Sequence, residues 1–176
     1  MKRALATFVT LAATVAALAG LTGCGRPFKI ETAPGFIELE NQGDFSYRAT
    51  TPEGVVVAVR VVDDEKRGDL DFWTKALVLQ LRDVSGYALL ASKDVTSLDG
   101  TKGKELRFGH DEDNKPFEYL LTVYLAQGRL FLIEAGGSKE QMDKARPSVE
   151  WMQKSVKVKC DTIVSPVLAS RTCNRW

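Results

Sequence analysis

The sequence predicts an α+β fold, a mostly antiparallel sheet of about six or seven strands covered by two main helices. Segments rich in β-branched and aromatic residues fall into two groups, at 36–63 and 87–135. A stretch with apolar residues at helical spacing follows each group, at 69–85 and 138–156. Gln127-Gly128 is a tight turn that makes the last two strands an antiparallel hairpin. The expected order is β-β-β, α, β-β-β-β, α.

Each element has a local reason. Phe36-Ile37-Glu38-Leu39-Glu40 is a short mixed strand. Phe45 to Thr50 alternates apolar and polar, the period of a half-buried strand. Thr51-Pro52-Glu53-Gly54 signals a turn, and Val55 to Val62 is dense in β-branched residues, so 45–63 reads as a hairpin. Asp69 is a good N-cap, and the helix it opens ends before Gly86. Its inner face carries Leu70, Trp73, Leu77, Leu81 and Val84, widened by Phe72, Ala76 and Leu79. Strands are expected at Tyr87–Val95, Lys104–Gly109, Phe117–Ala126 and Arg129–Ala135. Asp99-Gly100 and the polar run from His110 to Pro116 separate the first three. Ser138-Lys139-Glu140-Gln141 fits a capping box, and Met142, Ala145, Val149, Met152 and Val156 form the stripe of the last helix. Pro147 inside that stripe predicts a kink, or a second helical piece starting there.

The first 23 residues belong to a different class of segment. Lys2 and Arg3 precede an uncharged Ala- and Leu-rich run, Ala4 to Leu21, and small residues then stand before Cys24. These are the parts of a secretory signal. Leu21-Thr22-Gly23-Cys24 resembles the lipobox of bacterial lipoproteins, in which the cysteine is lipidated and becomes the new N-terminus. That resemblance implies an envelope protein tied to a membrane through Cys24, facing the periplasm or cell surface. Gly25 in place of Asp after the cysteine points to the outer membrane where two exist. The alternatives are an uncleaved spanning helix, for which Gly20, Thr22, Gly23 and Gly25 are poor exit residues, and an ordinary cleaved signal with Cys24 incidental. The expected layout is a signal peptide at 1–23, a lipidated tether at 24–35 broken by Pro27, Pro34 and Gly35, a domain at 36–157 and a tail at 158–176.

Without residues 1–23 the chain has 153 of its 176 residues, enough for one domain with a real core. Removing Lys2 and Arg3 from 24 basic residues leaves 22 against 23 acidic ones. Nucleic acid is therefore not an expected partner, because neutralising phosphates takes a clustered basic surface. With Cys24 assigned to lipid, Cys160 and Cys173 remain as an even pair in an oxidising compartment, which predicts a structural disulfide closing the tail. A zinc site is disfavoured, since no His or further Cys lies near them.

The element order and several phrases resemble the Mog1/PsbP-like family, including its bacterial lipoprotein members. The matching pieces are Gly103-Lys104-Glu105-Leu106-Arg107-Phe108, the hairpin Glu118–Glu134, and Ala145-Arg146-Pro147-Ser148-Val149-Glu150. The likeness spans about 36–157 and implies an α/β/α sandwich that serves chiefly as a binding scaffold. No residue set here matches the Ran-binding or photosystem-binding surfaces of that family, and a secretory signal is incompatible with a nuclear role.

No catalytic, metal or cofactor set emerges. His110, the single histidine, lies in His110-Asp111-Glu112-Asp113-Asn114, expected as a solvated loop. The run lacks the ligand alternation and Gly bend of a calcium loop. Asp63, Asp64 and Glu65 read as a solvated connection. There is no Gly-x-Ser-x-Gly elbow, and 100–104 has the wrong spacing for a P-loop. Trp73 reads as core, and Trp176 as docked on the domain or contacting a partner. The expected function is a non-enzymatic envelope lipoprotein with a protein partner. The alternatives are a small envelope hydrolase built on His110 and a carrier of an apolar ligand between sheet and helix, which needs a sizeable cavity.

Overall fold

A computed structural model describes residues 26–40 and 42–158. Within them lie β1 (Ile37–Glu38), β2 (Tyr47–Thr50), β3 (Val56–Asp63), α1 (Leu70–Asp83), β4 (Ala88–Thr96), β5 (Lys102–Glu112), β6 (Lys115–Ala126), β7 (Arg129–Ser138) and α2 (Lys139–Lys154). The seven strands form one antiparallel sheet in the order β1-β2-β3-β7-β6-β5-β4. After β3 the chain crosses one face of the sheet as α1 and starts again at the far edge with β4. It then returns as a meander, β4-β5-β6-β7, to pair with β3. Helix α2 covers the opposite face.

Alternation along the central strands sorts the core into two layers, because side chains in a strand point to opposite faces in turn. Leu106, Phe108, Leu121, Val123, Leu130 and Leu132 meet Leu70, Trp73, Leu77 and Leu81 of α1. Tyr47, Val57, Val59, Tyr124, Phe131 and Ile133 meet Met142, Val149 and Met152 of α2. The expected α+β class, strand count and two covering helices are what the structure shows.

Helix α1 opens where expected, with the Asp69 carboxylate accepting the Phe72 N–H at 2.7 Å. At α2 the Ser138 hydroxyl accepts from the Gln141 N–H at 3.4 Å. The helix is one piece from 139 to 154 with Pro147 inside it, so the second piece expected to start at Pro147 does not form.

Four expectations need correction. The run 110–116 is strand rather than loop: Asp113 (φ 51°) and Asn114 (φ 59°) alone form the turn between β5 and β6. Both tolerate the left-handed region because their short side chains can bond locally; Gln127 and Gly128 also have positive φ in the next hairpin, at 54° and 70°. The inner face of α1 is narrower than its sequence suggests, since Phe72, Leu79 and Val84 are exposed. Trp73 is half-buried and stands at the rim, edge-on to Phe72. The stretch expected as a tether is part of the domain from Phe28 onward. Phe28, Ala33 and Phe36 are buried among the α2-side core, and Lys29 pairs antiparallel with Lys157. Val158 is buried too, so the core continues to that residue.

Candidate functional site

Helix α2 lies over β6 and β7, leaving β5 and the edge strand β4 uncovered on that face. The gap is a groove of about 770 Å³. Its floor is the α2-facing side of β5, where Arg107 and Gly109 alternate with core residues of the other face. Ala88 and Leu90 of β4 form one wall; Lys139, Asp143 and Arg146 of α2 form the other. Leu90 is 56% exposed, and its Cδ1 lies 3.1 Å from where a Cβ on residue 109 would stand. Only glycine there leaves the groove its depth.

The α2 wall is held by a buried carboxylate. Glu118 sits on β6 between Gly109 of β5 and Gly137 of β7, so neither neighbour has a side chain to fill its space. Arg146 reaches down to it bidentately, at 2.9 and 3.2 Å, and also bonds Asp143 at 2.6 Å. These hydrogen bonds to Glu118 and then Asp143 hold the guanidinium further above its already high range. A carboxylate this buried requires such a partner, because an unpaired one is severely penalised. Among the described residues, Arg107 has no ion-pair partner, so it is the groove's available cation.

His110 lines the far end of the groove. Its Nδ1 is 3.5 Å from the Gly86 carbonyl oxygen, and its ring lies 5.0 Å from that of Tyr87. No Ser, Thr or Cys among the described residues bonds to it, and no cluster there of three His, Cys, Asp or Glu could hold a metal ion.

The other face carries a polar cluster where α1 does not reach. Glu134 of β7 forms an ion pair with Arg60 of β3 at 3.5 Å. The distance is electrostatic rather than a well-formed hydrogen bond, and the buried Arg60 Nε has no acceptor. Burial raises the Glu134 carboxyl above its ordinary value, opposed by Arg60 and by a hydrogen bond from Tyr119. Burial and then the Glu134 charge push the Tyr119 phenol far upward. Arg60 and Arg48 both lie over the Phe45 ring, at 4.8 and 5.8 Å.

Of the site residues expected from sequence, Cys24, Cys160 and Cys173 lie outside the described residues, as does Trp176. Asp64, expected as solvated, organises the entry to α1: its Oδ1 accepts from Gly68 N at 3.1 Å and Trp73 Nε1 at 3.0 Å. Sequence reading missed the Glu118–Arg146 pair. Its one signal was an acid inside the apolar run 117–126, opposite a glycine in the paired strand.

No protein-family profile matches the chain, and no curated protein does. Solved structures do. PsbP (CyanoP) of the cyanobacterium Synechocystis sp. PCC 6803 superposes with a TM-score of 0.52 at 13% identity, over 80% of this chain and 98% of that one. The fold is Mog1/PsbP-like. LpqN of Mycobacterium tuberculosis, described as involved in cell envelope biogenesis, gives 0.56 at 12% identity over 74% and 82%. The Ran-binding protein Mog1p of Saccharomyces cerevisiae gives 0.54 at 13% over 79% and 93%. Such identities establish the Mog1/PsbP-like architecture alone.

Proposed function

We propose that this chain is a lipid-anchored cell-envelope protein whose domain binds another envelope protein in the groove between α2 and β4, without catalysis. The observation that carries the binding reading is the groove itself. Of its carboxylates, Glu118 and Asp143 are engaged by Arg146 and Asp111 stands opposite Pro116 on β6, while Arg107 and the exposed Leu90 are left to an incoming surface. The fitting partner presents an acidic side chain beside apolar ones. Such pairing of a charge with apolar contact gives orientation as well as affinity. The Mog1/PsbP-like fold supports this reading, since two of its bearers are described by what they bind or help to build.

The anchor reading rests on the Leu21–Cys24 resemblance. No helix among the described residues is long and apolar enough to cross a membrane. With Phe28 packed in the core, the four steps from Cys24 reach at most about 14 Å. The domain then lies against its membrane, closer than a free tether to residue 35 would allow.

The groove reading is tested by photo-crosslinking in cells. A photoreactive amino acid at Pro116, on the groove's exposed end, should give a defined heteromeric adduct. Arg107→Glu should abolish that adduct, and Lys66→Glu, an exposed cation remote in sequence, should not. An adduct indifferent to Arg107→Glu contradicts the assignment.

A further inference from the structure

Where α1 does not reach, its face of the sheet carries two arginines as near neighbours. Arg48 of β2 stands opposite Ala58 of β3, and Ala58 opposite Glu134 of β7, so the three form one row across the sheet. Arg60 lies two residues beyond Ala58 on the same face, diagonal to both Arg48 and Glu134. Diagonal neighbours are about 7–8 Å apart, within reach of long side chains. Ala58 is too short to separate the two arms. They share the Phe45 ring, whose centroid is 4.8 Å from Cζ of Arg60 and 5.8 Å from Cζ of Arg48.

Charge and hydrogen bonding are both left over here. Glu134 pairs with Arg60 at 3.5 Å, and Arg48 has no ion pair with any described residue. Neither guanidinium donates a hydrogen bond to a described residue, and the Nε of each is buried without an acceptor. Two cations over one ring repel each other, and covered donors without acceptors are costly. Stacking on an aromatic face orients a guanidinium plane while leaving its N–H edge available. We propose that Arg48 and Arg60, seated on Phe45, bind a phosphoryl group, carried by a soluble phosphoester or by a phospholipid head group.

The donor arrangement favours a phosphoryl group over a carboxylate. A carboxylate has its oxygens in one plane and is satisfied by a single guanidinium fork. A phosphoryl group directs its oxygens tetrahedrally, so forks from two adjacent strands each find an edge of it. Two arginines against one ionised Glu134 leave a single surplus positive charge, which a phosphodiester neutralises. The Tyr119 hydroxyl holds Glu134 from the β6 side, which leaves the β2 side of the cluster to the ligand. The groove between α2 and β4 opens on the opposite face, so this site stands or falls independently of the binding reading.

The test follows the arginine Nε–H resonances of the full chain by NMR, in the presence of phosphatidylcholine nanodiscs. One arm adds inorganic phosphate; the other replaces part of the phosphatidylcholine with phosphatidylglycerol. Saturable shifts of the Arg48 and Arg60 signals are expected in at least one arm. Shifts with phosphate alone identify a soluble ligand, and shifts with phosphatidylglycerol identify a head group. Arg48→Lys keeps the charge and breaks no ion pair, yet should weaken binding about tenfold or more, because an ammonium offers no parallel N–H pair. Lys66→Gln, an exposed cation of the β3–α1 connection, should bind as wild type does. Signals that move in neither arm, that move equally with potassium chloride at matched ionic strength, or that respond unchanged in Arg48→Lys overturn the proposal.

Discussion

Single residues on this sheet are set by what stands opposite them. Glu134 keeps a raised carboxyl because burial outweighs its ion pair with Arg60 and its bond from Tyr119. The unfolded chain releases that proton near the ordinary value of 4.5, whereas the native state releases it at higher pH. Between the two values the native state holds more protons, so this group's contribution to stability falls as pH rises through the window. Glu134→Gln removes the titration. Denaturant melts at a series of pH values should show wild type gaining stability relative to the variant as pH falls from 7 towards 4.5. A difference that stays flat, or runs the other way, contradicts this account. Trp73 shows the same dependence on surroundings. Its helical spacing marks it as inward, yet only the structure shows that Asp64 holds the indole N–H at the rim.

At the level of elements, much was legible. The helix starts at Asp69 and Ser138, the Gln127-Gly128 hairpin and the extent of β2 and β3 rest on short-range chemistry that a sequence displays. Misreadings came where partners distant in sequence decide. The polar residues 110–116 extend two strands because β5 and β6 pair through to Glu112 and Lys115, and a polar face gives no alternation signal there. The breakers Pro27 and Pro34 suggested a tether, but Phe28 and Phe36 between and beside them find the α2-side core. The Gly103-to-Phe108 phrase now has physical content. Leu106 and Phe108 feed the α1 layer, while Gly103 faces α2, where an added Cβ would stand 2.4 Å from Tyr124 Cδ1 and 2.6 Å from the Val123 carbonyl oxygen. Neither backbone nor a buried ring yields cheaply, so Gly103→Ala should cost about 1–3 kcal/mol. Gly109→Ala meets only the end of the exposed Leu90 side chain and should change stability by about 0.5 kcal/mol or less. Paired chemical denaturation of the two variants checks the contrast, and equal losses would refute it.

For the molecule as a whole, the fold was readable because the order of amphipathic segments constrains the topology. A helix after β3 and another after β7 must cover opposite faces for both strand stripes to be buried. The groove was not readable, since it arises from where α2 lies across the sheet and from two glycines beside Glu118. The central claim joins this domain to a membrane surface through Cys24. Its most direct measurement is metabolic labelling with palmitate, followed by fractionation, of wild type and Cys24→Ala. The account predicts label in the membrane-bound wild type, with Cys24→Ala unlabelled and retained as full-length precursor. Label that persists in Cys24→Ala, or a processed wild type that is unlabelled and released from the membrane, would contradict it.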